Sequence, residues 1–184
     1  MLRPAWEVLK SFLPRWGPAV DAIQLNLMEA VEKHRAEDSQ YVERFVRSLQ
    51  RGEAHALVTY LARAAAQSTT EERMRMLAAA AAGVLTPDLS SEMRSRVARA
   101  VEQLEPSDVI ALREVSGYAA SGHGIQQIAG SPENGAALLQ TGCLLAGPTG
   151  VGFRSKYEMT PLGRAVLHAL ETWTESPRSP APPL

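Results

Sequence analysis

Apolar residues recur at the spacing of a 3.6-residue helix throughout residues 1–104. Leu2, Trp6, Leu9, Phe12 or Leu13, and Trp16 form a first stripe, interrupted near Pro14 and Pro18. Val20, Ile23, Leu27 and Val31 continue on a second helix. Tyr41, Val42, Phe45, Val46 and Leu49 make a third, capped by Asp38 or Ser39 and followed by Gly52. Leu57, Val58 and Leu61 mark a fourth. The fifth has the clearest start, because Thr69 with Glu72 three residues on reads as a capping box, with Gly83 and Pro87 closing the helix. Its centre, Ala78–Ala82, carries so little side-chain bulk that a neighbouring helix can approach closely. Met93, Val97, Val101 and Leu104 define a sixth, starting at Ser90 or Ser91 and ending before Pro106.

The pattern then changes. Residues 1–116 hold three glycines, Gly17, Gly52 and Gly83, and the other ten of the 13 lie in residues 117–163. Such punctuation predicts a small unit with tight turns. Ser107 to Val115 reads as a helix stopped by Gly117, and Ile125 and Ile128 as a short helical turn between glycines. Ser131 and Pro132 form an N-cap and first helical position, leading through Leu138 and Leu139 to Gly142 as the stop. Cys143-Leu144-Leu145, a turn GPTGVG and the run Phe153–Met159 follow. In that run Phe153, Ser155, Tyr157 and Met159 alternate with Arg154, Lys156 and Glu158, the period of a strand with one wet face. Two strands pairing residues 143–147 with 153–159 are therefore expected. Thr160-Pro161 caps a last helix bearing Leu162, Val166, Ala169, Leu170 and Trp173. The predicted fold class is mainly α: a helical module over residues 1–104, a smaller unit over 105–174, and a proline-rich disordered tail over 175–184.

Composition agrees with helices. Hydrophobic residues make up 45% of the 184, but 28 of them are alanine and only 5% of the chain is aromatic, which suits close helix packing better than a sandwich or barrel. Nineteen basic residues against 20 acidic give a net charge of −1, which excludes a protein that coats nucleic acid through overall positive charge. A single cysteine, Cys143, excludes a disulfide framework and a CxxC site. No apolar run approaches the ~20 residues of a membrane span, and no signal peptide is visible, so a cytoplasmic protein is expected.

The order of elements after residue 105 resembles a winged helix: three helices, a β-hairpin wing and a final helix. The resemblance rests on the third helix Pro132–Thr141, the exit TGCLL, the wing Ala146–Tyr157 and the return YEMTPLGRAVLHAL. That last junction is similar to the wing-to-helix junction of bacterial winged-helix regulators. The family implies a third helix set in the major groove of DNA and a wing along its backbone. Here the third helix reads PENGAALLQT and carries no Arg or Lys. Asn134 and Gln140 can pair with adenine, but phosphate contacts need cations, and Arg154 and Lys156 of the wing are the nearest ones. From Glu105 to Leu170 four bases (Arg113, Arg154, Lys156, Arg164) face five acids (Glu105, Asp108, Glu114, Glu133, Glu158). The upstream stretch TTEERMRMLAAAAAGVLTPDL to RVARAVEQLEPSDVIALREV is similar to bacterial helical proteins of the Abi-alpha-like kind, encoded near phage-defence loci. That likeness implies no chemistry.

Other motifs carry less. Arg44, Arg47 and Arg51 share one helical face, and Arg94, Arg96 and Arg99 lie on another helix; if these met they would form a basic groove, although interleaved glutamates make solvated faces the plainer reading. GPTGVG with Ser155-Lys156 lacks the GK[ST] of a phosphate loop and reads as a wing turn. His34, His55, His123 and His168 have no ligand spacing, and Ser121 with His123 lacks an orienting acid. Cys143 reads as a small buried hydrophobe. The first helix, with Leu2, Trp6, Leu9, Phe12 and Trp16, is a partner-docking stripe or core; lying on a membrane surface is a more distant reading.

These observations point to a non-enzymatic protein without cofactor, metal or small-molecule substrate. A protein partner or self-association is expected. The alternative is a winged-helix DNA-binding regulator using Asn134, Gln140, Arg154 and Lys156, extended by Arg44, Arg47 and Arg51.

Overall fold

Ala78–Ala82, side chains no larger than a methyl group, lie in the core of the molecule and are each at most 1% exposed. They belong to a computed structural model that describes residues 21–26, 28–29, 31–32, 40, 43, 47, 52–86, 88–120, 132–146 and 157–174. The described chain is mainly helical, with a small two-stranded antiparallel sheet. Its elements are α1 (Gly52–Ala66), α2 (Glu71–Gly83), α3 (Ser91–Gln103), α4 (Pro106–Ala120), α5 (Pro132–Gln140), β1 (Leu144–Ala146), β2 (Tyr157–Met159) and α6 (Pro161–Ala169). Residues 21–26 are also helical and bury Ile23.

α2 packs against α1, α3, α4 and α6. With only methyl groups along its centre, neighbours reach its backbone closely. At its end Gly83 goes further: a Cβ there would collide with the backbone of Ala169 in α6. The helix stops at Gly83 as the sequence suggests, but the glycine serves the crossing of α2 and α6. A left-handed cap is not its role, since the cap residue, Val84, lies in the right-handed region. α6 also packs on α3, so one buried core runs across residue 105.

The helix starts are mostly where side-chain caps place them. Ser90 Oγ accepts from the Met93 amide at 3.2 Å to open α3. Thr70, not Thr69, caps α2, accepting from Arg73 N at 3.3 Å, so the capping box with Glu72 is not formed. Either threonine can cap, and Glu71 and Glu72 lie in the first turn, where the helix dipole favours acids. α4 opens with Pro106, and Asp108 Oδ2 accepts from Glu105 N at 2.8 Å. Burial pushes the Asp108 carboxyl above its ordinary range. α4 then runs through Gly117 to Ala120 instead of stopping there. A glycine inside a helix costs only about 1 kcal/mol, which the packing of Val109, Leu112 and Val115 in the core outweighs.

Beyond α5 the chain turns at Gly142, whose φ of 75° suits glycine. β1 and β2 pair antiparallel, Leu144 with Met159, Leu145 with Glu158 and Ala146 with Tyr157. These are the inner ends of the expected strands; residues 147–156, with the wing turn, lie outside the described residues. Thr160 fastens the strands to α6: its Oγ1 donates to Gly142 O at 2.7 Å and accepts from Gly163 N at 3.0 Å, while its amide donates to Cys143 O at 3.1 Å. α6 ends at Ala169, earlier than its apolar stripe suggests. Arg113 Nη2 donates to the carbonyls of Leu170 (3.0 Å) and Trp173 (2.6 Å), with its guanidinium 4.7 Å above the Trp173 ring. That clamp turns the chain and sinks Trp173 to 3% exposure.

Candidate interaction surface

α5 divides cleanly into two faces. Gly135 and Leu138 point into the core, and Ala136, Leu139 and Gln140 point out. β1 repeats the division: Leu144 is fully buried, while Leu145 is 59% exposed and Ala146 is exposed beside it. Leu139, 36% exposed, adds a second large apolar side chain. Cys143 lies inside, where burial pushes its thiol up and a hydrogen bond with Thr141 pulls the other way. The surface is thus neutral and partly apolar, bordered by Glu158 and by Arg164, whose Nη1 donates to Met159 O at 3.2 Å.

Beside α5 an open cleft of about 420 Å³ is lined by Glu102, Gln103, Ala137, Gln140 and Thr141. It separates the C-terminal ends of α3 and α5. On its α3 side Arg73 Nη2 donates to Glu102 O at 2.9 Å and pairs with the Glu105 carboxylate. Tyr60 of α1 hydrogen-bonds the Glu102 carboxylate; burial, together with that carboxylate, raises the phenol's pKa against the opposing charge of Arg99.

Of the sequence candidates, Gln140 lies in the described surface, exposed and lining the cleft. Asn134 lies in the first half of α5, its side chain outside the described residues. Arg47 is exposed and pairs with Glu43 at 3.4 Å. Leu2, Trp6, Leu9, Phe12, Trp16, Arg44, Arg51, Arg154 and Lys156 lie outside the described residues. Arg94 does not face solvent with Arg96 and Arg99; it is buried and donates to Thr86 O at 2.8 Å. Helical geometry gives the reason, since positions 94 and 96 are about 200° apart around the axis. Glu102 and Gln103 were invisible as site residues, because only folding brings them beside a helix some 35 positions later.

Among the described residues no group of three or more His, Cys, Asp or Glu side chains could hold a metal ion, and no helix is long and apolar enough to cross a membrane. The chain matches no protein family, no curated protein and no solved structure with which it was compared.

Proposed function

We propose that this is a non-enzymatic, cytoplasmic protein-interaction or regulatory protein whose unit over residues 105–174 is a winged helix used for docking. The order α4, α5, β1, β2, α6 supports the winged-helix reading. The observation that carries docking is the outward face of α5 and β1, where Ala136, Leu139, Gln140, Leu145 and Ala146 offer apolar or neutral groups and no cation. A phosphate backbone finds little there, whereas a protein surface finds leucines to cover. The likeness of the α2–α4 stretch to Abi-alpha-like proteins supports a setting in bacterial stress or phage defence. The stripe Leu2, Trp6, Leu9, Phe12 and Trp16 is a second docking element or a self-association contact.

DNA-binding regulation is the second reading, favoured by the exposed Gln140 on α5. Fluorescence anisotropy of a labelled duplex across a salt series separates the two. Arg154, Lys156 and Arg164 give about three phosphate contacts and a slope near −2.7 in log K against log salt. Docking predicts binding no tighter than about micromolar, hardly changed by Arg154→Ala or Lys156→Ala. Nanomolar binding with a steep slope that collapses in those variants overturns docking and establishes the regulator.

A further inference from the structure

We infer that the exposed helical face formed by Leu25 and Met28, with Asp21 and Glu29 beside them, is the dock for residues 2–13 of the same chain. The inference rests on reading the stripe Leu2, Trp6, Leu9 and Phe12 as a docking element, and it names the surface that receives it.

Residues 21–26, 28–29 and 31–32 are helical, and their two faces differ. Inward, Ile23 is 0% exposed and Val31 6%, and Asn26 Oδ1 accepts from Thr172 Oγ1 at 2.9 Å. Those contacts fix which side points out. Outward, Leu25 is 59% exposed and Met28 54%. Positions 21, 25, 28 and 32 fall within about 60° of one another around a helix, so both apolar side chains share a stripe with Asp21 and Glu32. Glu29 flanks that stripe. Among the described residues neither Asp21 nor Glu29 is in an ion pair. Over residues 21–38 five acids stand against two bases, Lys33 and Arg35.

An apolar stripe with an acidic border selects its cover by charge. Two copies of this face set together would bring acids against acids. Residues 2–13 have the complementary pattern: Leu2, Trp6, Leu9 and Phe12 or Leu13 at helical spacing, with Arg3 and Lys10 against the single acid Glu7. Their place in the chain agrees. Six residues, 14–19, join them to the apolar run that starts at Val20, a connection of the length that sets two helices antiparallel as neighbours. In that arrangement Leu13 comes opposite Leu25, and Leu9 opposite Met28. Lys10 follows Leu9 as Glu29 follows Met28, so the two charges flank the same side of the seam and attract. So short a tether holds the stripe at a local concentration of about millimolar, ahead of a second copy in dilute solution.

The test is cross-linking in the full chain carrying Leu9→Cys with Met28→Cys, cysteine being itself a small apolar side chain. The reagent is a bismaleimide that spans the roughly 8–10 Å between packed helix axes, and intact mass reads the product. The parent chain, whose one cysteine is the buried Cys143, is the blank. The expected product is a monomer bridged internally by one linker. Leu9→Cys with Leu145→Cys, which offers the exposed leucine of β1 instead, should bridge at least tenfold more slowly. Glu29→Lys should slow the bridge from position 9 to 28 about threefold, and Lys10→Glu added to it should restore the rate. A covalent dimer as the main product overturns the inference and leaves the stripe a self-association contact. Equal or faster bridging to position 145, no bridging, or a rate that Glu29→Lys does not move overturns it as well. None of these outcomes touches the docking reading of α5 and β1, which the duplex titration decides independently.

Discussion

The second half of α2 and most of α5 are both built from small and apolar residues, yet the first is wholly buried and the second only on one face. In α2, Met76 to Gly83 are all buried, with α1, α3, α4 and α6 around them. In α5, Leu138 is buried and the adjacent Leu139 is not, and β1 repeats the pattern with Leu144 and Leu145. The difference teaches that apolar content alone does not make a core. α2 is covered because its missing side chains let neighbours reach its backbone. α5 has described neighbours on one face, and on the other Ala136, Leu139 and Gln140 are exposed.

The largest expected effect tests the covered side. Gly83→Ala puts a methyl group into the Ala169 backbone, where neither flexible side chains nor empty space can absorb it. Chemical denaturation should show a loss of about 3 kcal/mol or more, the upper range of overpacking. A loss below about 1 kcal/mol would mean that α2 and α6 can slide apart freely, and the contrast with α5 would weaken.

A smaller effect of opposite sign sharpens the same point. Gly117 lies inside α4, exposed, with open space where a Cβ would stand. Gly117→Ala should therefore stabilise the protein by about 0.5–1 kcal/mol, through helix propensity and a less flexible unfolded chain. Two helical glycines then give opposite responses because one touches backbone and the other touches nothing. Destabilisation by Gly117→Ala would contradict this account of α4.

Much of this architecture was legible in the sequence. Ser90, Thr160-Pro161 and Gly142 mark their boundaries through local chemistry, a hydroxyl cap, a proline at the first helical position and a positive φ, and each acts within a few residues. Thr69 and Thr70 are equivalent by that chemistry, so the cap was misplaced by one residue. Gly117 resembled a stop because a glycine's local preference says nothing about the core that overrides it. Gly83 was placed correctly for a reason that only the α6 crossing reveals. The clamp of Arg113 on Leu170 and Trp173, and the meeting of Glu102 with Gln140, join residues far apart in the chain. No spacing rule reports such partners. The alternation through β2 was readable, but not that Leu145 of β1 would stay 59% exposed.

The smallest effect bears most directly on the central claim, that the outward face of α5 and β1 serves a partner and not the fold. Leu138→Ala and Leu145→Ala remove the same atoms from neighbouring elements, one fully buried and one 59% exposed. Equilibrium urea denaturation of the two variants beside the parent is the measurement. The account predicts a loss of about 2–5 kcal/mol for Leu138→Ala and a change within about 0.5 kcal/mol for Leu145→Ala. A loss of about 2 kcal/mol or more in Leu145→Ala would show that the fold itself depends on this leucine and would contradict the claim.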